Sequence, residues 1–523
     1  MAGHIREWRA RIFSLFSYEA LLLTTETLNY DIIALLAERS GGFDKGAHMN
    51  LSRRSFLGGA VALGAFAGCR NGAFGGERPL ARVGVISDIH LTDPASTVTL
   101  ASTLAFFRDS GVDAVLIAGD LSDWGLLSGF KLLAKTWNEV FPGGLAPDGR
   151  RVEKLFCTGN HDFEGWWYPD MTMEMHALGY SEDEACVKLG MKKCWEEAFD
   201  EPYAPVRDRL VNGLHFVSAE YDSQAEAAPW LEKHAPGFDP AKPFFFFSHE
   251  PLPGTVSCSP KTSRHTGAVA AVLARFPNAV ALAGHCHRTL NDERSIWQDA
   301  FTALAIPSLS YTSVPRGYEN GSGTRDGKCT FAMPRVPSRA ALEEAQGFLM
   351  DVFPDRIDFI RRDFTVGCEA AAPWSVPWPP TSGKPYAPEA RAGAAPAPQF
   401  PKSAVLRTYT RNEDARNGHW QISMVCEFPL ADAVRGARAW DYEVQAVLGD
   451  GTAAMTKRFI SPAAHKLPEA EPSTMHFSVN VAELPQDANY RLLVRPRNCF
   501  GTAGEPLVSA VRRGRPGLDK AKR

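Results

Sequence analysis

Val83-Gly84-Val85-Ile86-Ser87-Asp88-Ile89-His90 is an apolar run that ends in Asp-x-His. Strand side chains alternate faces, so alternation puts Asp88 and His90 on one side of a strand that begins at residue 83. A carboxylate and an imidazole together where a strand runs out are donors suited to a hard or borderline metal ion. Asp-x-His is short enough to recur by chance. Its meaning therefore rests on whether the rest of the chain supplies partners.

Strand and helix alternate from residue 82 to about 289. Apolar runs predict strands at 83–87, 114–118, 152–157, 214–219, 243–247 and 279–283, with helices over 95–110, 126–141, 228–234 and 266–276 between them. Pro142-Gly143-Gly144 stops the second helix. Strands at about 300–306 and 347–362 close the layer. Continuous apolar strands separated by helices indicate an α/β core with buried strands. Residues 163–208, rich in Trp, Tyr, Met and acidic groups, read as an insertion at the strand ends with a helix over about 181–199.

Five strand ends carry polar groups: Asp88/His90, Asp120, Asn160/His161/Asp162, His249 and His285/His287. This edge of an α/β sheet is where sites are built. Singly each has a bland reading, as a turn, a loop or a half-buried histidine. In order, with the helices between them, they form a set.

That order, Asp-x-His, Gly-Asp, Gly-Asn-His-Asp, His, Gly-His-x-His, resembles the calcineurin-like metallophosphoesterase superfamily over about 82–365. The resemblance implies a four-layer αββα sandwich and a metal-dependent phosphoric ester hydrolase. It assigns Asp88, His90 and His287 to one metal, Asn160, His249 and His285 to a second, and Asp120 to both. His161 would stand beside the phosphate as proton donor or charge stabiliser, with Asp162 orienting its ring. The expected reaction is in-line attack by a hydroxide bridging the metals. The chemistry asks for the same residue types. Two divalent ions about 3.5–4 Å apart need a shared carboxylate to offset their repulsion. Mixed His/Asp/Asn ligation without thiolate suits manganese, iron, zinc or nickel rather than calcium or a soft metal. Alternation turns Cys286 away from the metals and into the core.

At 523 residues the chain expects two or more domains. Hydrophobic residues make up 45% and charged residues 22%, ordinary for a globular protein. A net charge of −4 offers no basic stripe for nucleic acid. Ser52-Arg53-Arg54-Ser55-Phe56-Leu57, a short weakly apolar run and Cys69 resemble a twin-arginine export signal over 49–69, too short to span a bilayer. Such a signal expects Met49 as the start and 1–48 as an upstream over-extension. It also expects the twin-arginine export machinery as partner and a periplasmic or extracellular location. Phe66-Ala67-Gly68-Cys69 further resembles a lipoprotein box, giving membrane attachment through a lipidated Cys69. Ten cysteines in an exported chain permit disulfides. Cys186 and Cys194 could pair or share a helix face, and no Cys-x-x-Cys suggests structural zinc.

The catalytic region is expected over 80–369, a Pro/Ala/Gly-rich extended linker with Trp374 and Trp378 over 370–401, and a small all-β sandwich over 402–512. Its strands are predicted at 405–409, 421–428, 441–448, 475–481 and 490–496. The stretch Tyr490-Arg-Leu-Leu-Val-Arg-Pro-Arg-Asn-Cys-Phe-Gly501 resembles a fibronectin type III module; Cys426 and Cys499 are candidates to bridge it, although a family-typical module has no such disulfide. Purple acid phosphatases also join a sandwich to this catalytic fold, but with the sandwich first and a metal-bound Tyr after Gly-Asp. Leu121-Ser122-Asp123-Trp124 has no Tyr there.

The function expected is an exported phosphoesterase acting on a small-molecule phosphodiester. The alternative is a phosphomonoesterase of acid/alkaline phosphatase or nucleotidase type; a third reading is a non-catalytic surface-binding protein. Arg264 and Arg316 are candidate phosphate contacts. Trp166-Trp167-Tyr168 reads either as a stacking surface for a base or sugar or as an apolar plug anchoring the insertion.

Overall fold

Parallel strands need crossover helices, and the chain supplies them in order. The computed structural model describes residues 78–177, 179–258, 267–313, 317–320, 344–380, 383–414, 420–465 and 472–514. The export-signal region and Cys69 lie outside them, as do Arg264 and Arg316. Strands β1 (Ala81–Ile86), β2 (Ala114–Ala118) and β3 (Glu153–Cys157) pair in parallel. The second sheet runs β4 (Val206–Val211), β5 (Leu214–Ala219), β6 (Phe244–Ser248), β7 (Ala279–Ala283), then β9 (Thr302–Ala305) and β8 (Ile296–Gln298). The chain then returns to the first sheet as β10 (Gln346–Val352), antiparallel to β1, and β11 (Arg356–Asp363). β12 (Cys368–Glu369) and β13 (Trp374–Pro377) both pair with β11.

The two sheets face each other. Val83, Val85 and Leu116 of the first pack with Phe216, Phe245, Phe247 and Leu282 of the second. Helices α1 (Thr97–Asp109), α2 (Leu127–Val140) and α3 (Met191–Phe199) cover the outside of the first sheet. Helices α4 (Gln224–His234) and α5 (Ala268–Leu273) cover the second. This is a four-layer αββα arrangement. β2, β6 and β7 are buried along their whole length, as strands covered on both faces must be.

The structure corrects several sequence expectations. The segment 347–362 is a hairpin, since Phe353-Pro354-Asp355 turns the chain between β10 and β11. The helix expected over 181–199 breaks at Gly190, whose φ of 94° a helix cannot hold, into Cys186–Leu189 and α3. β4 escaped notice because Val-Arg-Asp-Arg-Leu-Val is charged, which suits its place at a sheet edge. The 370–401 stretch is not wholly extended, since it contributes β13 and a helix, Pro388–Ala394, but it does pack across the core, with Trp374 and Trp378 buried between the sheets.

The C-terminal region forms two antiparallel sheets. One is β14 (Arg407–Asp414), β15 (Trp420–Pro429) and β18 (Thr474–Asn480). The other is β17 (Ala453–Ile460), β16 (Asp441–Leu448), β19 (Tyr490–Arg497) and β20 (Leu507–Val508). β17 was missed because its polar residues mask alternation, and β20 because it is short. Cys426 lies in the apolar core between these sheets and Cys499 in the loop after β19. Both are free thiols, so the suggested bridge is absent. Cys186 and Cys194 are buried free thiols as well.

The sandwich is tied to the α/β core by specific bonds. The Thr289 hydroxyl donates to the Ala464 carbonyl at 2.6 Å and the Asn291 amide to the Ala463 carbonyl at 3.2 Å. Tyr318 donates to Asp441 at 3.1 Å, and Asn320 exchanges two bonds with Ile460. Among the described residues, no helix is long and apolar enough to cross a membrane.

Phe245 is fully buried between the sheets. Phe245→Ala should therefore cost about 3–5 kcal/mol, through lost transfer energy and a residual cavity. The exposed Val405→Ala should cost nothing measurable. Urea denaturation with the slope held constant measures both, and equal midpoints for the two variants would refute the inter-sheet core.

Candidate metal centre

The site begins where β1 stops. β1 ends at Ile86, and Asp88 and His90 lie beyond it with φ of 53° and 47°. Alternation along a strand is therefore not what brings them together. Asp120 (51°), His285 (68°) and His287 (51°) share the left-handed conformation. For a non-glycine residue it costs about 1–3 kcal/mol, tolerated where surrounding structure over-determines it. Here the loops brace one another. The backbone N–H of Asp88 donates to Gly119 at 3.0 Å and that of His90 to Asp120 at 3.0 Å. The N–H of His285 donates to the Asp88 carboxylate at 3.0 Å, and that of His161 to Asp120 Oδ1 at 2.8 Å. Two glycines make the approach possible. A Cβ on Gly119 (φ 91°) would lie 2.4 Å from His249 Nδ1, and one on Gly284 would lie 1.8 Å from Ser87 Oγ.

Seven donor side chains converge as two groups. Asp88 Oδ1 is 2.8 Å from His287 Nε2, which is 3.3 Å from His90 Nε2. Asn160 Oδ1 is 2.9 Å from both His249 Nε2 and His285 Nδ1, and those nitrogens are 3.2 Å apart. Asp120 Oδ2 joins the groups, 3.2 Å from His249 Nε2 and 3.7 Å from His90 Nε2. All seven expected ligands are thus brought together, in the grouping the resemblance assigned.

The donor set fits a pair of divalent cations. The outer nitrogens of three imidazoles are already engaged: His90 Nδ1 with Asp123 Oδ1 at 2.8 Å, His249 Nδ1 with the Ala118 carbonyl at 2.8 Å, and His287 Nδ1 with the Tyr311 carbonyl at 3.0 Å. Those partners hold the outer N–H and leave the inner nitrogen bare, the usual support for a metal-ligating histidine. The inner nitrogens of His90 and His287 face each other at 3.3 Å, where two lone pairs repel unless a cation lies between them. Imidazole, carboxylate and amide oxygen together suit manganese, iron, zinc or nickel. Cys286 is only half-buried, contrary to its reading as core, and its thiol donates to the Cys258 carbonyl at 3.0 Å.

The electrostatics point the same way. Burial alone would push the carboxyl of Asp88 up, yet His287 and His249 bring it down to about 2. Asp120 likewise stays well below its ordinary value despite burial, because His249 and His161 face it. Burial would lower His249, but Asp120 and Asp88 raise it to about 10. The pocket draws positive charge, so a metal ion and a proton compete for the same donors.

His161 stands beside this set, its ring edge-on to His90 with centroids 4.6 Å apart. Its expected partner is corrected. Asp162 accepts backbone N–H bonds from Leu121 (3.2 Å), Ser122 (2.8 Å) and Gly159 (2.7 Å), tying the loop after β2 to the loop after β3. Burial and the neighbouring Asp120 push the Asp162 carboxyl up to about 7. The residue at the ring is Asp123, whose Oδ1 lies 3.1 Å and whose carbonyl lies 3.0 Å from His161 Nδ1. Burial lowers His161, but Asp120 and Asp123 raise it to about 9. A signal for Asp123 was present, a carboxylate three residues past Asp120 in the same loop.

Two tyrosines border the set, Tyr168 from the expected aromatic cluster and Tyr311, which escaped notice. Asn160 Nδ2 donates to the Tyr168 hydroxyl at 3.1 Å, which turns Oδ1 inward, and the Tyr168 ring lies 5.1 Å from His161. Tyr311 packs at 4.3 Å on His287 and 5.5 Å on His90. The Trp166-Trp167-Tyr168 cluster divides. Trp166 packs against an apolar plug built on Trp124, Leu126 and Met175, Trp167 is exposed, and Tyr168 reaches the site.

Residues 81–289 match the family model described as calcineurin-like phosphoesterase. No curated protein sequence matches the chain. Similar solved structures include a dimetal phosphatase from Danio rerio, 12% identical, covering 57% of this chain and 99% of that one with a TM-score of 0.32. Another is a purple acid phosphatase from yellow lupin (Lupinus luteus) seeds, 12% identical, covering 56% and 53% with a TM-score of 0.36. A third is an archaeal phosphodiesterase, 11% identical, covering 44% and 84% with a TM-score of 0.21. At these values the likenesses bear on neither substrate nor residue roles.

A variant series separates the carboxylates. Asp120→Asn should lose metal and hydrolysis together. His161→Ala should keep metal and lose about 10²–10⁴ in kcat, whereas Asp123→Asn should lose rate and also weaken metal binding about 10–100-fold, because Asp123 orients His90. Asp162→Asn should chiefly lower Tm. Metal content, turnover of a chromogenic aryl phosphate and thermal melts measure this, and a fully active Asp123→Asn would refute the assignment.

Proposed function

We propose a substrate and a location for this chain, whose calcineurin-like phosphoesterase domain over residues 81–289 makes it a metal-dependent phosphoric ester hydrolase: an exported phosphodiesterase. The observation that carries the chemistry is the Asp120 carboxylate, shared between two donor groups with His161 alongside. Asp88, His90, His287 and Asp120 would hold one ion, and Asn160, His249, His285 and Asp120 the other. When bound, such a pair neutralises the phosphoryl oxygens and makes a water nucleophilic near neutral pH.

The chain's own groups do the rest. The carboxylates of Asp120 and Asp123 favour the protonated form of the His161 ring against its burial, and in that form both nitrogens carry protons. Asp123 engages Nδ1, which leaves the Nε2 proton for the departing ester oxygen. Loss of that proton leaves a neutral ring still hydrogen-bonded at Nδ1. Tyr168 keeps the Asn160 oxygen pointing inward, and the backbone N–H of His161 fixes Asp120.

The diester preference is supported by the two aromatic rings. Tyr168 lies on the His161 and Asn160 side and Tyr311 on the His287 and His90 side. Two apolar walls suit a phosphate with an organic group at each end, whereas a monoester would use one. Turnover of bis(p-nitrophenyl) phosphate should exceed that of p-nitrophenyl phosphate by at least about tenfold in kcat/KM, roughly 1.4 kcal/mol of transition-state stabilisation. The reverse ratio would make the enzyme a phosphomonoesterase.

Export is supported by the twin-arginine pattern around Arg53 and Arg54. Arg53→Lys/Arg54→Lys should leave the full chain in the cytoplasmic fraction, while the unaltered chain is recovered outside it. Equal distribution of the two would remove the export reading. The strand order β14-β15-β18 opposite β17-β16-β19-β20 supports reading the C-terminal sandwich as a fibronectin type III module.

A further inference from the structure

Cys286 lies between His285 and His287 in the chain but belongs to neither donor group. Its thiol donates to the Cys258 carbonyl at 3.0 Å and also bonds to the Cys258 thiol. Both cysteines are free thiols, and both are only partly buried, which leaves them open to small solutes.

The two come from different loops. Cys286 lies in the loop after β7 and Cys258 in the loop after β6. Each loop is anchored beside its thiol. The Ser257 N–H donates to the Arg294 carbonyl at 3.2 Å. The Cys286 N–H donates to the Gly284 carbonyl at 2.8 Å, and the Ser313 hydroxyl donates to the Cys286 carbonyl at 2.9 Å. The backbone thus holds the two thiols together, although 28 residues separate them. Thiols so placed form one internal disulfide in preference to two mixed ones, because the closing step is intramolecular. Such bonds persist in an oxidising compartment, where the proposed export takes the chain.

We propose that Cys258 and Cys286 are a redox-active pair whose disulfide weakens the metal centre through His285 and His287. The oxidant is a low-molecular-weight disulfide such as oxidised glutathione. The Cys258 sulfur attacks it and releases one thiol; the Cys286 sulfur then displaces the second. Two protons and two electrons leave the pair, and the external S–S bond becomes two S–H bonds. Contact with Cys258 and burial hold the proton on Cys286, which makes Cys258 the attacking sulfur.

The coupling to metal follows from the backbone. To close the bond, the Cys286 sulfur must leave the Cys258 carbonyl and move toward the Cys258 sulfur. His285 and His287 on either side hold φ of 68° and 51°, and a Cβ on Gly284 would lie 1.8 Å from Ser87 Oγ. The turn therefore has no slack, and the shift passes to the two imidazoles, one in each donor group. Linkage makes the effect reciprocal: metal disfavours the disulfide as the disulfide disfavours metal.

The test uses the full chain, cleared of metal with a chelator, and manganese(II), a metal poorly matched to thiolate. Glutathione buffers of rising oxidised fraction should yield a peptide in which Cys258 is bonded to Cys286, read by mass spectrometry after the remaining thiols are blocked. The oxidised chain should bind manganese at least about tenfold more weakly than the reduced chain, and saturating manganese should shift the thiol–disulfide equilibrium toward the thiols. Cys258→Ser, which keeps the carbonyl that Cys286 meets, should bind manganese like the reduced chain in every buffer. Absence of the linked peptide, equal manganese affinity in the reduced and oxidised chain, or a loss in Cys258→Ser as large as in the unaltered chain overturns the proposal. A reduced chain that binds no manganese fails the metal centre itself and the proposal with it. No readout involves turnover, so none depends on which ester the centre hydrolyses.

Discussion

The Asp120 carboxylate is the point at which the two halves of the centre become one. Oδ2 lies within reach of histidines from both donor groups, while Oδ1 accepts the backbone N–H of His161. A buried carboxylate costs several kcal/mol unless compensated. Here the compensation comes from β1, β3, β6 and β7, whose loops all deliver a donor or an N–H to the same place. The two-sheet architecture therefore depends on that edge as much as the edge depends on it. The parallel strands must end in register for the charges to cancel.

Close packing of this kind leaves marks in the backbone. Five of the seven donors hold left-handed conformations, and the glycine before Asp120 and the glycine before His285 leave no room for a Cβ. Each loop N–H that donates across to its neighbour offsets part of the strain. The result is a set of donors whose positions the backbone fixes, which is what electrostatic preorganisation requires. Asp162 serves this scaffold rather than the chemistry. It accepts three backbone N–H groups and so fixes the loop that carries Asp120 to the loop that carries Asn160 and His161. Asp123 instead meets the rings, touching both His90 and His161.

The sandwich reaches close to this edge. Thr289 and Asn291, two and four residues past His287, donate to the carbonyls of Ala464 and Ala463. The segment that supplies His287 is thereby held from both sides, by the α/β core and by the sandwich.

Much of this was legible in the order of residues. Apolar runs separated by amphipathic stretches specify buried parallel strands, and the polar residue that ends each run specifies the edge, because both signals are local. Asp88, His90, Asp120, Asn160, His249, His285 and His287 were all readable in that way, as was the α/β class. Partners were not. Which carboxylate meets His161 depends on how the loop after β2, which carries Asp123, lies against the loop after β3, which carries Asp162. The charged edge strand β4, the hairpin between β10 and β11 and the pairing of β13 with β11 were likewise hidden. Their stabilisation comes from neighbours far along the chain rather than from their own pattern. The sequence by itself determined which residues could be donors, since that is a matter of side-chain chemistry and strand ends. Only the tertiary structure decided how closely those donors approach one another, which carboxylate meets His161, and how the C-terminal sandwich is tied to the α/β core. Those follow from distances between segments tens to hundreds of residues apart.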